Sequence, residues 1–237
     1  MKKLVTILLS VTLLLTMTAC ANQNNGKSTS QNTEQAVDAT QKTEALIQAE
    51  STSESETEAD ASNVLIAYFS LPDNEDDSTV EINGETLGNT QYMASVIQKQ
   101  TGGDVFRIEA ETPYTTDHEA LVDLASAEKA DNARPAIASK IENIDQYDTI
   151  FIGYPIWWSD MPMIMYTFFD TYDFTGKTII PFNTHGGSGF AGTPETIAKL
   201  EQAATMRDGL TISRDDIQDG EQEIVDWLNE MGYEKEN

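Results

Sequence analysis

Three short, almost unbroken apolar runs constrain this chain more than any other feature: NVLIAYFS at 63–70, DTIFIGY at 148–154 and KTIIPF at 177–182. Each has the length of a strand and is apolar at successive positions rather than alternate ones. A strand of that kind must be buried on both faces, as in the interior of a parallel sheet. Helical spacing appears between them. Positions 91–101 carry Tyr92, Met93, Val96 and Ile97 and stop at Gly102-Gly103. Positions 119–131 set Leu121, Val122, Leu124 and Ala125 on one side, and 161–172 hold Met163, Ile164, Met165, Phe168 and Phe169. Thr193 reads as the N-cap and Pro194 as the first residue of a helix over 193–203, and a final helix is expected over 219–231. Weaker strands at 104–110, nearer the sheet edge, and at 209–212 complete a set of five.

Alternation of this kind predicts an α/β fold: a doubly wound parallel sheet with helices on both faces. Such sheets bind ligands outside the carboxyl ends of their strands, at the switch point of the strand order. The loops of interest therefore begin at Ser70, Tyr154 and Phe182. The first ends in Gly88-Asn89-Thr90, just before a helix. There the hydroxyls of Ser70 and Thr90, with free N–H groups at the helix start, can hold a phosphate without any lysine. Taken alone, Gly-Asn-Thr is also an ordinary turn. The second loop, Pro155-Ile156-Trp157-Trp158, sets two indoles after a buried strand, where they either stack on a flat aromatic ligand or cover the helix that follows. The third, Asn183-Thr184-His185-Gly186-Gly187-Ser188-Gly189, lets backbone amides approach a ligand closely. No complete G-x-x-x-x-G-K-Ser/Thr phosphate loop and no G-x-S-x-G is present, which argues against nucleoside triphosphatases and lipases.

Composition narrows the partners. A formal charge of −26, from 14 Lys and Arg against 40 Asp and Glu, argues against nucleic-acid partners, which need clustered cations. The one cysteine, Cys20, permits neither an internal disulfide nor a cysteine-based zinc site. His118 and His185 are the only histidines, and Asp117-His118-Glu119 earns no metal assignment. A cofactor, if present, is expected to be organic.

The first 20 residues read as an address. Met1-Lys2-Lys3 precedes an apolar run at 4–15 that is too short to span a bilayer comfortably. Met17-Thr18-Ala19-Cys20 resembles a bacterial lipobox, so Cys20 is the expected lipidation site and the protein is expected on the extracytoplasmic face of the cell membrane, anchored by acyl chains. Ordinary secretion with cleavage near Ala19 is the alternative. Positions 21–61 are Gln, Asn, Ser, Thr and Glu without Trp, Tyr or Phe, the composition of a disordered tether with a reach of roughly 35 Å. The folded part is expected at 62–237.

YFS followed by GNT, then YPIWW, then THGGSG, each after an expected strand, together resemble the flavodoxin family, over about 63–231. That resemblance implies a flavodoxin-like three-layer α/β/α sandwich, its five-stranded parallel sheet in the order 2-1-3-4-5, with FMN as cofactor. Ser70, Asn89 and Thr90 would hold the FMN phosphate. Pro155, Ile156, Trp157, Trp158, Thr184, His185, Gly186 and Gly187 would contact its ring, with His185 a candidate for assisting reduction. The departure is the insertion at 71–87, with Asp73, Glu75, Asp76 and Asp77 near the expected dianion. A hairpin (79–82, turn Asn83-Gly84) would carry them away. Two activities fit: an electron carrier for a redox partner, or a quinone-reductase-like enzyme using NAD(P)H and a small aromatic acceptor. A binding module that has lost FMN is the alternative. The Met- and Phe-rich stretch over 161–172 could supply a homodimer face. The acidic chain, with Asp160 and Asp173 near the ring loops, is expected to lower the flavin potential.

Overall fold

In this computed structural model residues 63–71 and 78–233 are described, and the strands among them are β1 (Val64–Tyr68), β2 (Thr79–Ile82), β3 (Glu85–Gly88), β4 (Asp104–Arg107), β5 (Thr149–Pro155), β6 (Thr178–His185), β7 (Thr205–Met206) and β8 (Leu210–Ser213). The expected leader, Cys20, the tether over 21–61 and the acidic residues Asp73, Glu75, Asp76 and Asp77 lie outside the described residues. The main sheet runs β4-β1-β5-β6, and β7 and β8 then pair with β6 at different heights. Every pairing in it is parallel. With β7 and β8 sharing the last place, the strand order is the expected 2-1-3-4-5.

The helices are α1 (Asn89–Thr101), α2 (His118–Ala130), α3 (Met163–Thr171), α4 (Thr193–Leu200) and α5 (Glu221–Glu230). Ile66, Tyr68, Phe151, Ile180 and Phe182 point to the layer of α1 and α5. Leu65, Ala67, Ile150, Ile152 and Ile179 point to the opposite core, which α3 and α4 cover. This two-sided burial is why the central strands read as unbroken apolar runs. Ile164, Met165, Phe168 and Phe169 of α3 are buried inside that core, and Met163 is buried as well.

Several boundaries differ from expectation for physical reasons. Helix α1 starts at Asn89, two residues early, because Gly88 ends β3 and the Gln91 side chain accepts its N–H at 3.3 Å. Strand β4 ends at Arg107 rather than 110, since the chain after Ile108 turns to bond 136–138 through Glu111 N–H and Ala138 N–H. Strand β6 runs on to His185 because β5 and β8 support it on both sides up to Thr184 and His185. Gly192, at φ 79°, caps α4, and Thr193 and Pro194 are its first two residues. Thr193 is turned inward instead, donating to the Phe190 carbonyl at 2.7 Å. The helix stops at Leu200 because the Glu201 backbone leaves helical geometry. β7, two residues long, is too short to show a sequence period.

The insertion forms the expected hairpin. β2 and β3 pair antiparallel around Asn83 (φ 54°) and Gly84 (φ 83°), the positive angles a tight primed turn requires. Val80 is buried in the α1–α5 core, and the Glu81 carbonyl accepts from Gln218 Nε2 at 3.1 Å. The hairpin thus extends the α1 side of the molecule.

Candidate functional site

The carboxyl ends of β5 and β6 are tied to each other and to their neighbours. Phe69 N–H donates to the Gly153 carbonyl and Ile156 N–H to the Thr184 carbonyl, both at 2.9 Å. Thr90 and Thr184 join their hydroxyls at 2.9 Å, linking the first turn of α1 to β6 across a buried contact. Tyr154, fully buried, donates to Thr193 Oγ1 at 2.8 Å, and Asn183 Nδ2 donates to the Gly189 carbonyl at 3.2 Å, which fixes both ends of the glycine loop. Burial pushes the Tyr154 hydroxyl well above the usual phenol range, so it stays a neutral donor.

After β5 the chain makes a tight turn. Trp157 and Asp160 exchange backbone hydrogen bonds at 2.9 and 3.0 Å, and Trp158 (φ 51°) and Ser159 (φ 57°) between them are both left-handed. Primed turns favour Asn-Gly, so Trp-Ser here stores strain of about 1–3 kcal/mol per residue. Side chains hold it in place. Lys129 Nζ donates to the Trp158 carbonyl at 2.6 Å and lies 3.5 Å from Asp160, while Trp158 Nε1 donates to the Val122 carbonyl at 3.1 Å. Tyr166 donates to Asp160 at 2.9 Å. Trp157 packs edge-on to Phe69 and Tyr114 at 5.4 and 5.6 Å, and Trp158 stays 54 % exposed. An exposed, strained tryptophan is a costly choice for stability alone and is a feature of sites that bind.

A cleft of about 290 Å³ opens at this edge. Of the residues expected at a site, Asn89, Pro155, Ile156, Trp157, Trp158, Thr184, His185 and Gly186 line it. Three do not. Thr90 lies buried beneath it on Thr184, Gly187 stands outside its wall, and Ser70 lines a neighbouring depression with Arg107, Thr115 and Thr116. Sequence reasoning missed Ser78, Leu121, Val122, Ala125 and Arg214, which complete the lining together with the exposed His118. The apolar stripe on α2 was visible, but it served as evidence for core, whereas only Leu121 and Ala125 are buried and the stripe walls the cleft.

His185 has a defined tautomer. Gly187 N–H donates to its Nδ1 at 2.8 Å, so the neutral ring carries its proton on Nε2. Helix α1 begins at the cleft through Asn89, with no acidic residue in its first turn and no side-chain cap from Gly88. Asn89 gives its own N–H to Ser78 at 2.8 Å, and the next N–H groups have no partner within the helix.

Fold and cleft together define a doubly wound parallel α/β protein with a cleft at the carboxyl edge of its sheet. A family model described as flavodoxin matches residues 80–231. The chain belongs to the flavodoxin family. It is similar to a crystal structure from Bacteroides eggerthii described as a flavoprotein, at 33 % identity over 72 % of this chain and 98 % of that one, with a TM-score of 0.58. A second, from Bacteroides uniformis and described in the same way, is 29 % identical over 66 % and 96 %, with a TM-score of 0.51. A flavoprotein from Lactobacillus acidophilus, solved in complex with FMN, is 20 % identical over 65 % and 94 %, with a TM-score of 0.48. No curated protein matches the chain.

Proposed function

We propose that this flavodoxin-family chain binds FMN and passes electrons to a redox partner or small aromatic acceptor, held on the extracytoplasmic face of the membrane by a lipid on Cys20. The cleft carries the reading: flat apolar walls, a glycine loop and a helix start free of acidic side chains meet at one edge of the sheet. These residues fit FMN. Pro155, Ile156, Trp157 and Trp158 would take the ring faces, and His185 and Gly186 its polar edge. Gly187 and Gly189 have open space beside them where any other residue would carry a Cβ. The start of α1, with Asn89 and Ser78, would take the phosphate. Bound FMN supplies the redox chemistry, and the protein supplies position and electrostatics.

A volume near 290 Å³ lies at the low end of ligand pockets, enough for one ring system rather than two stacked ones. That favours a carrier, whose partner meets the flavin at the rim beside Trp158. A reductase is the second reading, favoured by His185, whose Nε2–H could donate a hydrogen bond to the polar edge of a ring in the cleft. Steady NAD(P)H-dependent turnover would select the reductase.

Titrating the full chain with FMN tests the cofactor. Expected are flavin bands on the protein and quenched flavin fluorescence, with Trp158→Ala weakening affinity by about 1–3 kcal/mol, the usual worth of an aromatic stacking partner. A colourless protein that leaves FMN fluorescent would sink the redox reading in favour of a binding module. For the anchor, Cys20→Ala is expected to move the protein from the membrane fraction to the soluble one. Unchanged partition would remove the lipid from the proposal.

A further inference from the structure

Helices α1 and α5 contribute buried apolar residues to one core, α3 and α4 contribute them to the other, and α2 contributes to neither. Within 111–136, the stretch that carries α2, only Leu121 and Ala125 are buried. Both line the cleft instead, together with Val122. The two ends of the stretch meet. Ala110 bridges Ile137, Glu111 N–H donates to the Ala136 carbonyl, and Ala138 N–H donates to the Glu109 carbonyl, both at 2.8 Å. Residues 111–136 are thus an excursion on a narrow neck, with a helix as its body and that helix as one wall of the cleft.

Near the neck the excursion is steadied on both sides. Tyr114 sets its ring against Phe69 and Trp157, and Arg134 pairs with Asp170 at 2.6 Å while covering the Tyr166 ring at 5.1 Å. Further out, the body closes on the cleft rim through a reciprocal pair of hydrogen bonds. Lys129 Nζ donates to the Trp158 carbonyl at 2.6 Å, and Trp158 Nε1 donates back to the Val122 carbonyl at 3.1 Å. Lys129 and Trp158 are both exposed, so water competes for each bond and either can be given up at modest cost.

We infer that residues 111–136 form a hinged flap on the cleft, closed by the clasp between Trp158 and Lys129, and that a flavin enters and leaves when this clasp opens. The identity of the ligand rests on the FMN reading. A segment that buries few apolar side chains opens at low free-energy cost, and the paired neck keeps its ends in place while the body swings. A lid of this kind sets rates rather than affinity. Where the same clasp closes the flap with or without ligand inside, weakening it raises entry and release together and leaves the dissociation constant little changed.

The test measures FMN association and dissociation rates on the full chain by stopped-flow flavin fluorescence, with circular dichroism to verify folding. Lys129→Ala and Lys129→Arg are compared with the wild type and with Lys99→Ala, an exposed lysine of α1 outside the cleft. Lys129→Ala is expected to raise both rates about tenfold, the weight of one charged hydrogen bond. Lys129→Arg should return most of the wild-type behaviour, and Lys99→Ala should leave both rates unchanged. Faster release with unchanged association would mean that Lys129 acts only on the bound flavin, and would overturn the flap, as would unchanged rates. Hydrogen exchange on the wild-type chain without FMN gives an independent reading that needs no variant to fold. Amides of α2 are expected to exchange about a hundredfold faster than those of α1 and α5, and equal protection would overturn the flap. A wild-type chain that takes up no FMN would remove the FMN reading, and the exchange comparison alone would then decide whether 111–136 opens.

Discussion

Phe168→Ala is expected to cost about 3–5 kcal/mol of stability, among the largest losses available to a single substitution here. The ring is fully buried and sits among Phe106, Phe169, Tyr172 and Phe174, at centroid distances between 5.1 and 6.4 Å. Helix α3 is only nine residues long and has no side-chain cap at its N-terminus. A helix of that length owes its stability to packing rather than to its own hydrogen bonds. Removing Phe168 leaves a cavity that the stiff neighbouring rings cannot close. At roughly 2–4 °C per kcal/mol for a domain of this size, the melting temperature should fall by about 6–20 °C. The damage should reach the site, because Tyr166 of α3 holds Asp160 in the turn that presents Trp158. Phe168→Leu should recover much of the loss. A thermal melt shifted by less than about 1 kcal/mol would mean that the aromatic cluster does not carry this half of the core.

Gly153→Ala should be nearly as damaging, by overfilling rather than emptying. Gly153 stands directly opposite Phe182 across the β5–β6 pairing, and a Cβ built there overlaps the Phe182 ring. Phe182 is fully buried and has no space to retreat into. Such overpacking costs about 1–3 kcal/mol and sometimes more, and the depth of overlap places this case at the upper end. Strain at Gly153 also pushes on Phe69, whose N–H bonds the Gly153 carbonyl, and on the Trp157 ring packed edge-on to Phe69. FMN affinity should then fall together with stability. Combining Gly153→Ala with Phe182→Leu should return a large part of both, since the two residues share one volume. Chemical denaturation of the single and double variants measures the coupling, and strictly additive losses would refute the ring-over-glycine account.

Much of the fold is legible in the residues because it follows from local regularities. β1, β5 and β6 announce themselves as runs without polar interruption, and α1 and α3 by apolar spacing. Asn83-Gly84 marks a hairpin turn before any coordinate is known. The ring-side loops were legible for a related reason: two tryptophans after a buried strand, and four polar or glycine residues after another, are unusual compositions at the edge where doubly wound sheets bind ligands. The phosphate side was less so. Ser70 and Thr90 have the right chemistry, yet Thr90 spends its hydroxyl on Thr184, 94 positions away, and Ser70 faces a different depression. No local pattern distinguishes a hydroxyl that meets a ligand from one that meets another hydroxyl.

What the sequence by itself determined is therefore the two-sided sheet, its alternation with helices, the hairpin in the insertion and the edge where the cleft opens. Each depends on which side of a strand or helix is apolar, and that periodicity is printed in neighbouring residues. Only the tertiary structure decided that α2 walls the cleft, that Trp158 is held left-handed by Lys129 and Val122, and that His118, His185 and Arg214 gather at one cleft. Those facts depend on the distance between residues far apart in the chain. Such distances are set by how whole layers pack, and a charge or a hydroxyl leaves no periodic trace of the neighbour it will meet.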